Sequence, residues 1–375
     1  MRICHITTVH TPKDARIFYR MCSVLADKGH IVTLIASSSL LGNSWVRPSP
    51  WNEQIGQAGR LSRIRLALRA ALSEDADVYH FHDPELISLG LVLKLLRPSK
   101  AVVYDVHEDY PSMMREKYYI PAAVRPIVVG CAHIANAVAG IFFDGIVTAD
   151  PGVEQDFRRF AGEKTLTYYN FPQLSVFEPC ANGKNAIADL VYIGGMSDRS
   201  GIFVLLKALS LLADEGLRPS VRLAGYTDGE AGRSAIEEAV KARSLSEQID
   251  LRGRIPHADV PGWIRSGRIG LVMLQSIPKF MKNIPSKLFE YWACGLPVIA
   301  SDLPPIRQFL LEGQNGLFFR PSSPKDLARV IRYLLEHPDE AKSMGDFAQT
   351  LVCNKWNVDR QIDDLITFYE KIHSS

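Results

Sequence analysis

The side chains best suited to chemistry cluster where a short helix begins, in N-I-P-S-K-L-F-E-Y-W-A-C-G-L-P-V-I-A-S at residues 283–301. The run reads as a loop, a helix, a tight turn and a buried strand. Ser286 is a favoured N-cap residue, and Pro285 is tolerated where no helical N–H is needed. Leu288, Tyr291 and Trp292 recur at helical spacing. Gly295 suits a left-handed C-terminal residue and Pro297 blocks continuation. Such a helix start offers free backbone N–H groups and the positive end of the dipole, a ready site for phosphate. Lys287 sits in the first turn, where the dipole gives a cation no help, so an anionic ligand explains it better than helix stability does. Glu290, one turn on, can hydrogen-bond a sugar diol. The competing reading is a solvated helix with incidental charges.

Other segments lean the same way. Residues 194–201, G-G-M-S-D-R-S-G, form a glycine loop between a predicted strand and helix. Gly194 and Gly195 allow close backbone approach to an anion, and Arg199 can grip a diphosphate through two parallel N–H bonds. His107 emerges at the carboxyl end of the predicted strand 101–106, where open α/β sheets bind ligands. The polar loop 7–16 follows the first strand and lacks G-x-G-x-x-G, so it is no dinucleotide fingerprint. Its Asp14 and Arg16 either face an acceptor or form an internal ion pair. Asp75-Ala76-Asp77 has a metal-binding D-x-D form but precedes a strand, at the end of a sheet that does not build sites, so no metal is expected there.

The P-S-K-L-F-E-Y stretch resembles the donor-binding signature of family 4 glycosyltransferases, retaining enzymes with two Rossmann-like domains in the GT-B arrangement. H-D-P-E at 82–85 and Y-D-V-H-E-D-Y-P at 104–111 are similar to the same branch. The resemblance implies a nucleoside diphosphate sugar as donor, bound by Gly194, Gly195, Arg199, Asn283, Ser286, Lys287, Leu288 and Glu290, with Glu290 on the ribose. It implies that His107 lies beside the donor sugar, that Lys287 and Arg199 stabilise the departing diphosphate, and that Asp14 and Arg16 meet the acceptor. It further implies catalysis without a cofactor or metal. One position departs: Lys282 stands where the family often has a first glutamate for the sugar hydroxyls. Two other functions fit the same fold, a sugar-nucleotide 2-epimerase and a non-catalytic sugar-nucleotide-binding subunit.

Two series of strands and helices must position these residues. The first runs from the strand 2–6 through strands at 31–36, 77–83, 101–106, 145–149 and 165–171, with a helix at 17–28 closed by Gly29. The second has strands at 189–193, 221–224, 249–252, 269–274 and 297–300. This predicts an α/β protein of two doubly wound Rossmann-like domains facing a central cleft. The N-terminal, acceptor-binding domain covers 1–175, a linker 176–188, and the nucleotide-sugar domain 189–355. A last helix at 356–375 crosses back to the first domain. Residues 40–59 read as an irregular insertion, and the apolar run 121–146, broken by Arg125, Pro126, His133, Asn136 and Asp144, as a core helix.

Composition excludes some classes. In 375 residues, 47% are hydrophobic and 22% charged, and 43 basic against 41 acidic residues leave a net charge of +2. There is no global case for nucleic-acid binding. Six scattered cysteines without a C-x-x-C pair indicate neither zinc nor a disulfide framework and fit a reducing cytoplasm. Residues 60–72 place Arg60, Arg63, Arg65 and Arg69 among Leu61, Ile64, Leu66, Leu68 and Leu72. That basic amphipathic helix is a candidate for an anionic membrane surface, on the inner face of the plasma membrane, or else an ordinary surface helix.

Overall fold

The computed structural model describes residues 1–38, 45–116, 120–177 and 186–374. Most of the expected linker and part of the 40–59 insertion lie outside the described residues. Packing divides the chain into Met1–Asn170 with Val358–Ser375, and Phe171–Asn357.

The first unit is built on β1 (Arg2–Ile6), β2 (Ile31–Ile35), β3 (Arg47–Pro48), β4 (Val78–Phe81), β5 (Ala101–Val106), β6 (Gly145–Thr148) and β7 (Thr165–Thr167), in the order β3-β2-β1-β4-β5-β6-β7. All pairs are parallel, and register sets His5 beside His80. The second unit carries β8 (Ala188–Ile193), β9 (Val221–Ala224), β10 (Ile249–Arg252), β11 (Gly267–Val272), β12 (Val298–Ser301) and β13 (Gly316–Phe319), again parallel, in the order β10-β9-β8-β11-β12-β13. β4, β5, β6 and β12 are buried along their whole length, which is why they read as continuous apolar runs. In both sheets the order reverses beside the first strand, the topological switch at which such sheets bind ligands.

Three local expectations change. The helix after β1 begins as a wide π-helix, Ala15–Cys22, before one α-turn at Ser23–Asp27, and Asp14 caps it by accepting from Arg16 N (2.9 Å) and Ile17 N (3.0 Å). The 121–146 run is not a core helix. The helix Arg125–Phe142 buries only Val129, Ala139 and Gly140 and leaves Ile127, Ile134, Ile141 and Phe142 exposed. One narrow edge of small residues suffices to seat it on the sheet. The helix Arg60–Ser73 turns its apolar side inward: Ala67, Ala70 and Ala71 are buried, and Ile64, Leu66, Leu68 and Leu72 pack on the same core.

The terminal helix, Val358–His373, joins the first unit. Phe368 rests against Gly145, Tyr369 meets His80, and the Gln361 amide bonds both Tyr169 N (2.8 Å) and Tyr169 O (2.9 Å). In the second unit the helix Ser286–Ala293 ends in a Schellman cap: Gly295, at φ +75°, donates to Trp292 O, and Leu296 to Tyr291 O. The helix Pro338–Asn354 packs against that cap so tightly that a Cβ at Gly345 would collide with the Gly295 carbonyl. Gly345→Ala is therefore expected to destabilise the second unit by about 3 kcal/mol, the upper range for overpacking. A melting temperature unchanged from that of the parent protein would contradict this contact.

Candidate functional site

Each sheet gathers polar side chains at its carboxyl edge. In the first unit Asp105, on β5, is fully buried at the centre of a network. Arg16 reaches both its oxygens, Nη2 to Oδ1 (2.7 Å) and Nε to Oδ2 (2.9 Å). His82 Nδ1 (3.0 Å) and His107 Nε2 (3.1 Å) donate to Oδ2. Burial alone would raise the Asp105 pKa. Arg16 and then His107 outweigh it and hold the carboxyl well below the usual range. Arg16 also donates to Tyr168 O (2.7 Å) and Asn170 Oδ1 (3.0 Å). So Arg16 forms the internal ion pair that the sequence allowed, with Asp105 as partner and not Asp14, and its guanidinium is committed within the fold.

Around this centre lies a second carboxylate. Asp83 Oδ2 accepts from Thr7 Oγ1 (2.9 Å), Thr8 N (2.5 Å) and Val9 N (3.1 Å), which fixes the turn after β1. His10 lies between Asp83 (3.5 Å) and Asp14 (3.3 Å), with its ring 4.7 Å from that of His107. Asp14 is thus occupied as a helix cap and a histidine partner. His107 stays slightly exposed, with Nε2–H turned to Asp105. When neutral, its ring then carries the lone pair on Nδ1.

Behind them His5, His80 and His82 stack. His82 lies 5.2 Å from His5 and 4.7 Å from His80, the planes inclined by 16° and 18°. Their ligand atoms come within 4.8 Å of one another, as do those of His82, Asp105 and His107. His5 Nδ1 and His82 Nε2 meet at 2.9 Å, the His5 and His80 planes are tilted by 34°, and the Arg16 guanidinium is bonded to both oxygens of Asp105.

In the second unit the glycine loop follows β8. Gly194 has φ +130° and Gly225, after β9, φ +146°; a Cβ on Gly225 would collide with Gly194 O. The Lys287 ammonium lies 2.6 Å from where a Gly194 Cβ would stand, and 3.9 Å from the centre of the Tyr192 ring. Tyr192 Oη donates to Gly195 O (2.6 Å), and Ile193 N donates to Tyr291 Oη (3.0 Å), tying the loop to the helix that bears Lys287. Pro285, in extended conformation, is the cap of that helix, so Ser286 is its first helical residue and not the N-cap. Asn283, Ser286 and Glu290 are half-buried beside Lys287 in this segment, and Arg199 is exposed on the glycine loop. Leu288 is fully buried and its N–H is spent on Pro285 O (3.1 Å), so its side chain faces the core.

Tyr192 and Tyr226 escaped the sequence reading. Tyr226 is exposed, backs onto Gly195 and carries the Arg254 guanidinium 5.4 Å from its ring centre. The period-two spacing of His80, on β4, and His82, just past its end, was the visible sign of the buried stack.

Residues 181–351 match the family described as Glycosyl transferases group 1. The chain is 26% identical to the D-rhamnosyltransferase WbpZ of Pseudomonas aeruginosa, over 93% of this chain and 90% of that protein. It is 24% identical to the alpha-D-kanosaminyltransferase of Streptomyces kanamyceticus, over 49% of this chain and 45% of that one. The chain thus spans about half the length of that relative or less, and 45% and 32% of two D-inositol 3-phosphate glycosyltransferases. Among solved structures, the sucrose-phosphate synthase of Thermosynechococcus elongatus superposes with a TM-score of 0.76 at 17% identity, covering 100% and 99% of the two chains. HepE of Anabaena, in complex with UDP and glucose, gives 0.73 at 14%, covering 99% and 100%. The fold is GT-B. Within that fold, the segment matching the Glycosyl transferases group 1 family lies in the second unit.

The buried histidines make stability depend on pH. Burial first, and neighbouring imidazoles next, hold His5 and His80 well below the ordinary range, and burial lowers His82. A depressed folded pKa means that the unfolded chain takes up protons the folded one refuses. Stability is then full above the unfolded value of about 6.5 and is lost as pH falls below it. His10 has the opposite sign: burial opposes its charge, the Asp14 bond overrides, and its pKa is raised. With three groups against one, the unfolding free energy should fall from about pH 7.5 to 5, by about 1.4 kcal/mol per pH unit for each excluded proton, and the melting temperature should fall with it. His80→Gln should flatten that slope. An equal slope in the variant would refute the assignment.

Proposed function

We propose that this chain is a retaining glycosyltransferase of the family 4 type. It moves a hexose from a nucleoside diphosphate sugar to a growing glycan or a lipid-linked acceptor in cell-surface polysaccharide assembly. The single observation that carries the reading is the Lys287 ammonium at the start of its helix, set against the side-chain-free backbone of Gly194. A cation, helix-end N–H groups and bare backbone together suit a diphosphate and little else. The transferases named above and the UDP in the HepE complex support a sugar-nucleotide donor.

In this reading charge builds on the β-phosphate as the glycosidic bond breaks. Lys287 and Arg199 stabilise it electrostatically, in the role a divalent metal plays elsewhere. Glu290 takes the ribose. The acceptor attacks from the face that the diphosphate leaves, and the departing phosphate oxygen accepts its proton. His107 acts on the sugar side, and the Asp105 carboxylate fixes its tautomer and orientation. Tyr226 offers its ring face to the nucleobase. The buried free cysteines Cys4, Cys22 and Cys294 suit a reducing, cytoplasmic setting.

Melting curves with UDP, GDP and ADP test the donor site, since a ligand specific for the folded state raises the melting temperature by mass action. One nucleotide should stabilise the protein, and Lys287→Ala should weaken it at least tenfold, about 1.4 kcal/mol. Unchanged affinity and turnover in that variant would remove the phosphate assignment. Label recovered on an acceptor excludes a binding subunit, and label recovered only in an isomeric donor points to an epimerase.

Tyr226→Ala separates base from phosphate. It should weaken the preferred nucleoside diphosphate about tenfold, within the 1–3 kcal/mol of a stacked base, and leave inorganic pyrophosphate binding unchanged. Equal loss for both ligands would contradict a stacking role.

A further inference from the structure

The helix Arg125–Phe142 has a mean hydropathy of 1.4, yet only 17% of it is buried. Its exposed apolar side chains are large: Ile127 is 66% exposed, Ile134 65%, Ile141 56% and Phe142 58%. Residues 127, 131, 134 and 141 fall on one stripe of the helix, and Val138 on the same side packs partly on the core. Cys131, also exposed, extends the row. The opposite edge is committed to the fold through Val129, Ala139 and Gly140. Phe160, exposed on the helix Pro151–Ala161, packs against Gly140 and continues the patch past the end of the stripe. Apolar surface so extended and unbroken by charge marks a contact face.

The charge around it says what the face meets. The helices Arg60–Ser73, Ile87–Leu96 and Arg125–Phe142 are consecutive neighbours in one layer over the first sheet. Together they hold Arg60, Arg63, Arg65, Arg69, Lys94 and Arg125 and not one aspartate or glutamate. Arg60 is paired with Glu85 and Lys94 with Asp144, whereas Arg65 and Arg69 are exposed on the outer side. The next helix, Pro151–Ala161, balances Glu154 and Asp156 with Arg158 and Arg159, so the layer as a whole is net positive, and an apolar stripe beside net positive charge complements an anionic lipid surface.

We infer that this helical layer docks on an anionic bilayer, with the Arg125–Phe142 stripe inserted among the lipids and the Arg60–Ser73 helix supplying cations. The division of labour follows from packing. The apolar residues of Arg60–Ser73 are largely turned into the core, so that helix cannot insert by itself. The Arg125–Phe142 helix lies flat in the layer, fixed by neighbours, so it sits in the interface and does not span. The inference is independent of which sugar is moved.

Co-sedimentation of the full chain with vesicles tests it. Binding should be at least tenfold stronger to vesicles of phosphatidylcholine with phosphatidylglycerol than to phosphatidylcholine alone, and should weaken as salt is raised. Ile134→Asp with Ile141→Asp should lose at least tenfold while keeping the parent melting temperature. Arg65→Gln with Arg69→Gln, on an exposed face that folding does not need, should lose the preference for phosphatidylglycerol. Phe347→Asp, on the second unit, should change nothing. Equal binding to both vesicle types, or both paired variants binding like the parent, overturns the proposal. So does a stable dimer in light scattering that Ile134→Asp dissociates, because a second copy of the chain would then own the stripe.

Discussion

Two stretches of backbone and one ammonium group compete for the same small volume at the end of β8. Gly225 leaves no room for a side chain against the Gly194 carbonyl, and the tip of the Lys287 side chain rests where a Gly194 Cβ would stand. Both glycines hold φ values that other residues rarely adopt. Much of the second unit serves to maintain this closeness. Tyr192 lends its ring to the ammonium and its hydroxyl to Gly195, while Tyr291 reaches from the helix of Lys287 to the end of the strand. The cap at Gly295 fixes the other end of that helix. A cation placed so near bare backbone has little value for folding. Its value lies in meeting an anion that the backbone also meets.

The first unit is organised by a different economy. A buried carboxylate is costly unless its charge is matched and its lone pairs are used, and Asp105 meets both conditions through Arg16, His82 and His107. Because Arg16, His82 and the Asp105–His107 strand end come from three separated segments, the ion pair also acts as a registry device: the loop after β1, the end of β4 and the end of β5 must all arrive together. One consequence reaches the surface. His107 has its orientation set from inside the protein, by a group that no substrate touches.

Much of this was legible in the residue order. Strand–helix alternation gave away two parallel sheets, and the run around Lys287 announced a helix start beside a glycine loop. What stayed hidden has physical reasons. Arg16 and Asp14 look alike on paper, as polar residues in a loop at a ligand-binding edge; only packing shows that one is committed to Asp105 and the other caps a π-helix. Leu288 belongs to a binding signature by position, yet it points into the core. The 125–142 helix misleads in the other direction. Its apolar composition suggested burial, whereas Gly140 and small neighbours let it seat on a narrow edge with its large side chains outward. β13 was missed because G-L-F-F is too short to carry a period. Tyr226 carries no pattern at all; it matters through what the fold puts behind it.

The central claim concerns where a diphosphate rests, and a crystal structure with the bound nucleoside diphosphate tests it most directly. β-Phosphate oxygens should lie at hydrogen-bond distance, about 2.8 Å, from Lys287 Nζ, against the Gly194–Gly195 backbone and the first turn at Ser286. A well-ordered diphosphate seated elsewhere, with Lys287 still held over the Tyr192 ring, would contradict it.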